Sequence, residues 1–237
     1  GYRVVAVDQR GYSPAARPSE VEQYVATELC ADVLGFAEVL GAKEFHLVGH
    51  DWGGLLAWQV AAEHPAWIRS LTVLATPHHN AFFEAIEHDA DQKRRSQYIN
   101  FFRMPGGMAE AYFAADDWQF LRRIYQGKVT PDMVEDNIRR LAEPEALTAV
   151  LNWYRALDIR VRIGQVCVPT LYVWGSEDMA VGETAARQTA QYVNGEFHFE
   201  RLDGKSHWLL EEVPEWITAR TLRHFQSRRA ATTHSPT

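Results

Sequence analysis

Short apolar segments alternate with longer segments of helical periodicity at both ends of the chain. The apolar, β-branched runs have the length and composition of strands and lie at 3–7, 45–48, 68–74, 170–174 and 196–202. Segments with helical spacing of apolar residues lie at 21–40, 55–62, 183–192 and 214–225. Strands that alternate with helices of these lengths form βαβ units. The pattern therefore predicts an α/β fold with a mainly parallel sheet, helices on both faces and a ligand site at the carboxyl ends of the strands.

The middle of the chain has a different pattern, with helices and loops rich in aromatic residues and no convincing strand. We predict an inserted helical cap at 78–163 between two parts of the α/β core at 1–77 and 164–226, followed by a flexible polar tail at 227–237. The cap aromatics either line an apolar cavity that excludes water or form the core of the cap. For most of them the second interpretation is the commoner outcome at helical spacing.

Composition narrows the classes of partner and compartment. The 237 residues are 46% hydrophobic and carry a net charge of −7, which argues against nucleic acid or an anionic membrane as a partner and favours a small neutral substrate. Cys30 and Cys167 are too few for a disulfide framework, and neither a signal peptide nor a membrane-spanning segment is visible. We therefore expect a cytoplasmic protein.

The sequence Gly-His-Asp-Trp-Gly-Gly at 49–54 lies between a predicted strand and a predicted helix. Small residues at such a turn allow the sharp bend of a nucleophile elbow, and Asp51 occupies the nucleophile position. A carboxylate is an anion at neutral pH, so it needs no base before it attacks an activated carbon, and it forms an ester that water must then cleave. The alternative is that Asp51 only caps the following helix.

Two further candidates follow the strands at 170–174 and 196–202. Asp178 and His207 both lie just beyond a strand end, at the sheet edge where Asp51 is expected. A neutral His207 would activate water for attack on the ester, and Asp178 would orient and stabilise the imidazole. Glu177 is the alternative acid. Taken separately, His207 is an ordinary loop histidine and Asp178 an ordinary turn residue, but the chain order of nucleophile, acid and histidine favours a triad.

At these positions the chain resembles a known family. The elbow at 49–54, Trp174-Gly175 leading to Asp178, and Gly204 leading to His207-Trp208 are similar to α/β-hydrolase fold enzymes with an aspartate nucleophile. Two stretches, 98–106 and Asn-Trp-Tyr-Arg at 152–155, resemble the segments that carry the paired lid tyrosines of soluble epoxide hydrolases.

The resemblance implies that Tyr98 and Tyr154 form that pair and protonate the epoxide oxygen as the ring opens. Tyr112 and Tyr125 are the alternatives to Tyr98. It also implies an oxyanion contact from the backbone N–H of Trp52, and we expect substrate contacts from four aromatic side chains: Trp52, Phe82, Trp153 and Trp208. The expected reaction is hydrolysis of a small apolar epoxide by water to a vicinal diol, with no metal or organic cofactor. The neighbouring histidines His78 and His79 project in different directions and lack evident partner ligands.

The family has additional sequence before the segment that matches residue 8, so we expect three preceding strands and a helix to be missing. Their absence would remove one side of the oxyanion hole and leave strand edges that favour pairing with another chain, including a homo-oligomer. Two alternatives to epoxide hydrolysis follow. A haloalkane dehalogenase would use the same aspartate, and an inactive truncated α/β-hydrolase would only bind apolar ligands or a partner chain.

Overall fold

The strands of the chain form one parallel four-stranded sheet, and the predicted elbow at 49–54 lies at the end of its first strand. In the computed structural model, which describes residues 1–232 and the side chains as far as residue 226, the strands are β1 (Phe45–His50), β2 (Ile68–Leu74), β3 (Thr170–Gly175) and β4 (Phe197–Leu202). They pair in the order β1-β2-β3-β4, and every pair is parallel. The predicted parallel sheet is confirmed, with the strand ends within two residues of their expected places.

Helices connect the strands and fill the segment between β2 and β3. They are α1 (Ala26–Val39), α2 (Trp52–Glu63), α3 (His79–His88), α4 (Ala90–Arg95), α5 (Gln97–Phe102), α6 (Met108–Ile124), α7 (Pro131–Leu141), α8 (Ala146–Ala156), α9 (Glu183–Gln188), α10 (Leu209–Glu212) and α11 (Pro214–Thr232). Short 3-10 helices lie at Val21–Tyr24, Pro65–Trp67 and Thr189–Tyr192, and α6 is interrupted by non-helical backbone from Ala115 to Trp118. Within the range that the structure describes, none of the helices combines the length and the apolar character needed to cross a bilayer.

Both faces of the sheet are covered. On one face Leu74, Leu171 and Val173 pack with Leu209 of α10 and Ile217 of α11 in a buried apolar cluster. On the other face, Tyr172 of β3 packs against Trp58 of α2, with ring centroids 6.1 Å apart, and stacks on Phe199 of β4 at 5.4 Å. Successive residues of a strand point to opposite faces, so β3 supplies both cores from alternate positions.

The chain divides into two compact units. Unit 1 consists of Gly1–Gly35 and Tyr98–Asp158, and unit 2 of Phe36–Gln97 together with the chain from Ile159 onward. The helices α3 and α4 therefore belong to the same unit as the sheet. The predicted cap, 78–163, had included both of them. Within unit 2 the side-chain amide of Asn80 bonds both backbone groups of Ile163, at 3.1 Å each, and so joins the two ends of the long helical segment.

Unit 1 is organised around buried aromatic and ionic contacts. The indole of Trp153 is 1% exposed and donates a hydrogen bond of 2.9 Å to the carbonyl of Arg10, while Arg17 pairs with Glu143 at 2.9 Å. These contacts attach the first 35 residues to α8 and its neighbours. A cluster of rings at Phe101, Phe102, Tyr112, Phe113 and Phe120 packs between α5 and α6.

Two expectations about the ends of the chain need correction. The predicted strand at 3–7 is wrong: residues 1–9, all within the described range, form no strand, and Val4 is 85% exposed. A β-branched run becomes a strand only when its backbone groups pair with a neighbouring strand, which residues 1–9 do not do. At the other end α11 continues to Thr232, so the first part of the predicted flexible tail is helical, and 233–237 lie outside the described residues.

The end of β3 sets the position of the loop that carries His207. A Cβ atom on Gly175 would lie 2.3 Å from the carbonyl oxygen of Lys205 and 2.5 Å from that of Ser206. We predict that Gly175→Ala destabilises the fold by about 1–3 kcal/mol, because backbone atoms must move to relieve the contact. Urea unfolding measures this change. Gly164→Ala is the control, since a Cβ there meets no atom within 4 Å, and equal stability of the two variants would contradict the prediction.

Candidate active site

The turn between β1 and α2 places Asp51 in an unusual backbone conformation. Its φ of 52° and ψ of −121° lie outside the regions that non-glycine residues normally occupy. The strand and helix approach so closely here that a Cβ on Gly49 would lie 2.3 Å from the carbonyl oxygen of Gly53. Glycine at 49 is therefore required by the space available, and the geometry is that expected of a nucleophile elbow.

A chain of buried hydrogen bonds supports this strained turn. The hydroxyl of Thr76, just after β2, donates to the carbonyl of Asp51 at 2.9 Å, and the indole of Trp58 donates to the carbonyl of Thr76 at 2.9 Å. Trp58 is fully buried. Strained residues persist only where surrounding contacts over-determine them, and these bonds provide such contacts. The sequence analysis did not identify this support, because it comes from residues distant from the elbow in the chain.

Each oxygen of the Asp51 carboxylate has a polar partner. Oδ2 accepts the backbone N–H of Trp52 at 2.6 Å, and Oδ1 accepts the Nε2–H of His207 at 3.0 Å. The helix-cap interpretation is thus partly right, but it leaves the bond to His207 unexplained. Burial opposes ionisation of this group, but the hydrogen bond and positive charge of His207, together with the N–H of Trp52, outweigh it and lower the pKa of Asp51 to about 2. The side chain is 42% exposed, so the anion is also open to contact.

His207 connects this carboxylate to a second one. Its Nδ1–H donates to Oδ2 of Asp178 at 2.9 Å, so both ring nitrogens face carboxylate oxygens. Carboxylate oxygens only accept hydrogen bonds, and both nitrogens can donate only when the ring is protonated. Burial disfavours that charge, but Asp178 and Asp51 together raise the pKa of His207 well above its ordinary value. The arrangement is a buried imidazolium between two anions.

Asp178 is fully buried at the start of the loop that follows β3. Its Oδ1 accepts the backbone N–H groups of Ala180 at 2.8 Å and Val181 at 3.0 Å, which leaves Oδ2 for His207. The neighbouring Glu177 is exposed and takes no part in this network. The structure therefore brings together Asp51, Asp178 and His207, as the strand pattern predicted, and selects Asp178 over Glu177 as the partner of the imidazole.

His50 is an additional member of the cluster that the sequence analysis missed. Its Nε2–H donates to the backbone carbonyl of His207 at 2.9 Å, and the two rings lie 4.9 Å apart. Burial and the nearby charge of His207 lower the pKa of His50, so its ring stays neutral beside the imidazolium. Trp208 packs on the same group, with its ring 5.4 Å from that of His207.

The two tyrosines identified by resemblance are neighbours within unit 1. The ring centroids of Tyr98 and Tyr154 lie 6.1 Å apart at an angle of 78°, and both rings contact Phe102. Of the alternatives, Tyr112 is half-exposed, and Tyr125 is buried with its hydroxyl accepting a bond of 2.9 Å from Asn137. The pairing of Tyr98 with Tyr154 agrees with the interpretation from sequence, and their chemical role stays a prediction.

The four aromatic residues expected to contact substrate lie in both units. Trp52 and Trp208 are half-buried in unit 2, beside Asp51 and His207 in the chain, and Phe82 is buried in α3 of the same unit, 5.6 Å from the ring of Phe83. Trp153 is buried in unit 1 with its indole N–H bonded to backbone, as described above. Substrate contact by these four side chains stays a prediction.

The adjacent histidines after β2 are core residues of unit 2. His78 donates from Nε2 to the carbonyl of Gly164 at 3.3 Å and stacks on Tyr192 at 4.9 Å. Burial lowers the pKa of His78 to about 4 and, with a contribution from His78, that of His79 to about 3. Among the described residues no group of three or more histidine, cysteine or acidic side chains is placed to bind a metal ion.

The double pairing of His207 predicts how its ionisation responds to Asp178→Asn. Removing one anion should lower the pKa of His207 by about one unit or more, because Asp51 alone must then offset the cost of burial. A raised pKa in the folded state stabilises the fold below the unfolded-state value of about 6.5, and this contribution disappears as the pH rises through the folded-state pKa. The decrease in the free energy of unfolding between pH 6 and pH 9 that His207 causes should therefore be smaller in Asp178→Asn than in the unaltered protein.

NMR titration of the imidazole and urea unfolding at the two pH values measure these effects. Glu177→Gln is the matched control, because it removes an exposed carboxylate from the same loop. An unchanged pKa of His207 in Asp178→Asn would contradict the pairing.

The chain is similar in sequence to known proteins. The chain is 32% identical over 228 residues to epoxide hydrolase 4 of Mus musculus, covering 91% of this chain and 63% of that protein. It is 30% identical over 237 residues to the AB hydrolase superfamily protein YfhM of Bacillus subtilis, covering 96% of this chain and 82% of that protein. The chain thus spans under two thirds of the length of the mouse relative.

A solved structure gives the same result for the fold. The epoxide hydrolase of Bacillus megaterium in complex with an inhibitor superposes with a TM-score of 0.80 at 23% identity, covering 89% of this chain and 79% of that one. The model of the alpha/beta hydrolase fold family matches residues 1–214. With its parallel sheet, its elbow and this match over most of its length, the chain belongs to the alpha/beta hydrolase fold family.

Proposed function

We propose that this chain hydrolyses epoxides to vicinal diols in two steps, through a covalent ester on Asp51. The observation that carries the proposal is the carboxylate at the elbow, bonded on one oxygen by the N–H of Trp52 and on the other by His207. With a pKa of about 2 it is ionised at neutral pH, so it attacks carbon without a base. The similarity to proteins named epoxide hydrolases supports the choice of an epoxide as the electrophile.

In the first step a carboxylate oxygen of Asp51 forms a bond to one epoxide carbon, and the bond between that carbon and the ring oxygen breaks. The oxygen must gain a proton as it leaves, and the phenols of Tyr98 and Tyr154 supply it in this proposal. A phenol has a pKa of about 10, so it is protonated at neutral pH and is a suitable acid. The contact between the two tyrosine rings supports their action as a pair on one oxygen atom.

Formation of the ester changes the charge around His207. The Asp51 carboxylate becomes neutral, so only Asp178 continues to favour the imidazolium, and burial continues to oppose it. The pKa of His207 therefore falls, and the ring loses its proton. The ring passes its proton to solvent, and the tyrosinate that remains after protonation of the epoxide oxygen regains a proton from solvent, so net charge is conserved across the step. The histidine thus becomes a base only after the ester exists.

In the second step the neutral Nε2 of His207 removes a proton from water, and the hydroxide attacks the carbonyl carbon of the ester. The tetrahedral intermediate carries a negative oxygen that accepts the backbone N–H of Trp52 in this proposal, and the bond of this N–H to Oδ2 in the resting state supports that role. Collapse of the intermediate breaks the ester C–O bond, and the departing alkoxide takes the proton of the hydroxyl that came from water, which gives the diol and restores the Asp51 carboxylate. Asp178 stabilises the imidazolium that is present again.

Trapping of the intermediate tests the reaction class. In His207→Gln the water-activating base is absent, so incubation with styrene oxide should leave protein whose mass has increased by that of the entire epoxide. Intact-protein mass spectrometry measures the gain, and peptide mapping should assign it to Asp51. The double variant with Asp51→Asn is the control and should gain nothing.

A parallel incubation with 1-bromobutane distinguishes epoxide hydrolysis from haloalkane dehalogenation. A stable gain of one butyl group, with none from styrene oxide, would replace the proposal by haloalkane dehalogenation. Absence of an adduct from both compounds in folded His207→Gln protein would argue against a covalent Asp51 mechanism with substrates of either class.

Removal of the phenol hydroxyls should act on the first step alone. We expect Tyr154→Phe and Tyr98→Phe each to slow ester formation by about 10² or more, because general acid catalysis contributes on that scale. Decay of ester that has already formed should be unaffected, since the epoxide oxygen is by then an alcohol. Single-turnover kinetics separates the two rates. Tyr112→Phe, in the same unit, is the control, and a loss as large as that of Tyr154→Phe would contradict the assignment.

A further inference from the structure

The loop that carries Asp178 is attached to α4 through several polar contacts. We call residues 176–182, which follow β3 and lead to α9, the acid loop. Gln92 bonds the loop at Ala180 and Gly182, and Arg95 donates to the backbone carbonyl of Asp178. These α4 residues lie more than 80 positions from their partners in the chain.

Both the amide nitrogen and the amide oxygen of the Gln92 side chain form hydrogen bonds. Its Nε2 donates to the carbonyl of Ala180 at 2.8 Å and to the hydroxyl of Ser96 at 2.9 Å, and its Oε1 accepts the N–H of Gly182 at 2.7 Å. The residue is 0% exposed. A buried amide with two donors and an acceptor satisfied cannot shift without losing bonds that water does not replace.

One peptide unit joins Gln92 to the carboxylate. The carbonyl of Ala180 accepts from Gln92, and the N–H of the same peptide, on Val181, donates to Oδ1 of Asp178 at 3.0 Å. The other carboxylate oxygen accepts from His207 at 2.9 Å. A continuous series of hydrogen bonds, the first partly buried and the others buried, therefore runs from Gln92 through this peptide and Asp178 to the imidazole. Bonds in such a series polarise one another, and the first fixes the orientation of the next.

The base of α4 is attached to the same region independently. Asp89 caps the helix by accepting the N–H groups of Asp91 at 2.7 Å and Gln92 at 2.9 Å, and its second oxygen accepts the hydroxyl of Thr184. The backbone position of Gln92 is thus fixed relative to α9, which follows the acid loop. Loss of the Gln92 amide alone would leave these attachments intact.

We propose that Gln92 is a positioning residue for Asp178, which fixes the acid loop so that the carboxylate stays directed at His207 and the ester is hydrolysed efficiently. The kinetic part of this inference rests on the proposed function. Gln92 touches neither substrate nor the reacting atoms. Its effect belongs to the second step, in which Asp178 must stabilise a newly formed imidazolium, and the first step should be nearly insensitive to it.

The test compares Gln92→Met, which has a similar volume but no hydrogen bonds, with Gln59→Met. Gln59 is a buried glutamine of the same unit, 3% exposed, and its Nε2 bonds Glu63 within α2. NMR titration gives the pKa of His207 in each protein without any substrate. The other charged and titratable groups that influence His207, namely Asp51, Asp178, His50 and Glu211, are unchanged in both variants.

In Gln92→Met the pKa of His207 should fall, and single-turnover decay of the styrene oxide ester should slow by about 10-fold or more, since a misplacement of about 1 Å can cost as much as 10²-fold. Ester formation should stay within about twofold. Gln59→Met should match the unaltered protein in all three measurements. In folded Gln92→Met, an unchanged pKa and unchanged ester decay would overturn the proposal, and an equal loss in both variants would assign Gln92 a merely structural role.

A second variant keeps the inference testable if Gln92→Met does not fold. Gln92→Asn keeps an uncharged amide but is shorter by one methylene, so it cannot hold Ala180 and Gly182 as Gln92 does, and the pKa of His207 and the rate of ester decay should still fall. The two proposals fail separately. A shifted pKa without any ester would sustain the positioning role and refute epoxide hydrolysis, whereas ester formation with an unshifted pKa and normal decay would do the reverse.

Discussion

A protonated imidazole between two carboxylates is the interaction on which the organisation of unit 2 depends. His207 is almost completely buried, and a buried charge is tolerated only when partners with good geometry surround it. Asp51 and Asp178 provide those partners at 3.0 and 2.9 Å. The three residues come from the ends of three different parallel strands, so the sheet has to bring these ends together for the charge to be compensated.

The surrounding polar contacts can be understood as reinforcement of this triad. Trp58 and Thr76 fix the backbone behind Asp51, His50 bonds the carbonyl of His207, and Gln92 bonds the loop of Asp178. Each of these residues contacts backbone rather than a reacting atom. Backbone contacts set the direction of the neighbouring side chain without adding charge to the site. The resting imidazolium and the neutral base proposed for the second step therefore occupy the same position and differ in charge alone.

Much of this arrangement could be predicted from the sequence, because periodicity and chain order carry the relevant information. The strand at 68–74 lies where the apolar run predicted it, and that at 170–175 extends one residue beyond its predicted end. Asp51 could be proposed from the glycine-rich elbow, and Asp178 and His207 from strand ends and chain order, with Glu177 as the alternative acid. The strand at 3–7 could not be excluded in this way, since pairing partners are invisible to a local pattern. The role of Gln92 could not be predicted either. No local sequence pattern marks a buried glutamine, and its partners lie 88 and 90 positions away in the chain.

The attachment of α4 to the acid loop has a consequence for recombination between relatives. Unit 1 takes its second segment from Tyr98 to Asp158, whereas α3 and α4 lie in unit 2 with the triad, and Asn80 joins the base of the helical segment to Ile163. A chimera that exchanges everything between β2 and β3 would separate Gln92 from the backbone groups of Ala180 and Gly182 that it bonds. Crossovers at 97/98 and 158/159 would preserve the bonds of both Gln92 and Asn80, so the charge-paired core would be inherited whole.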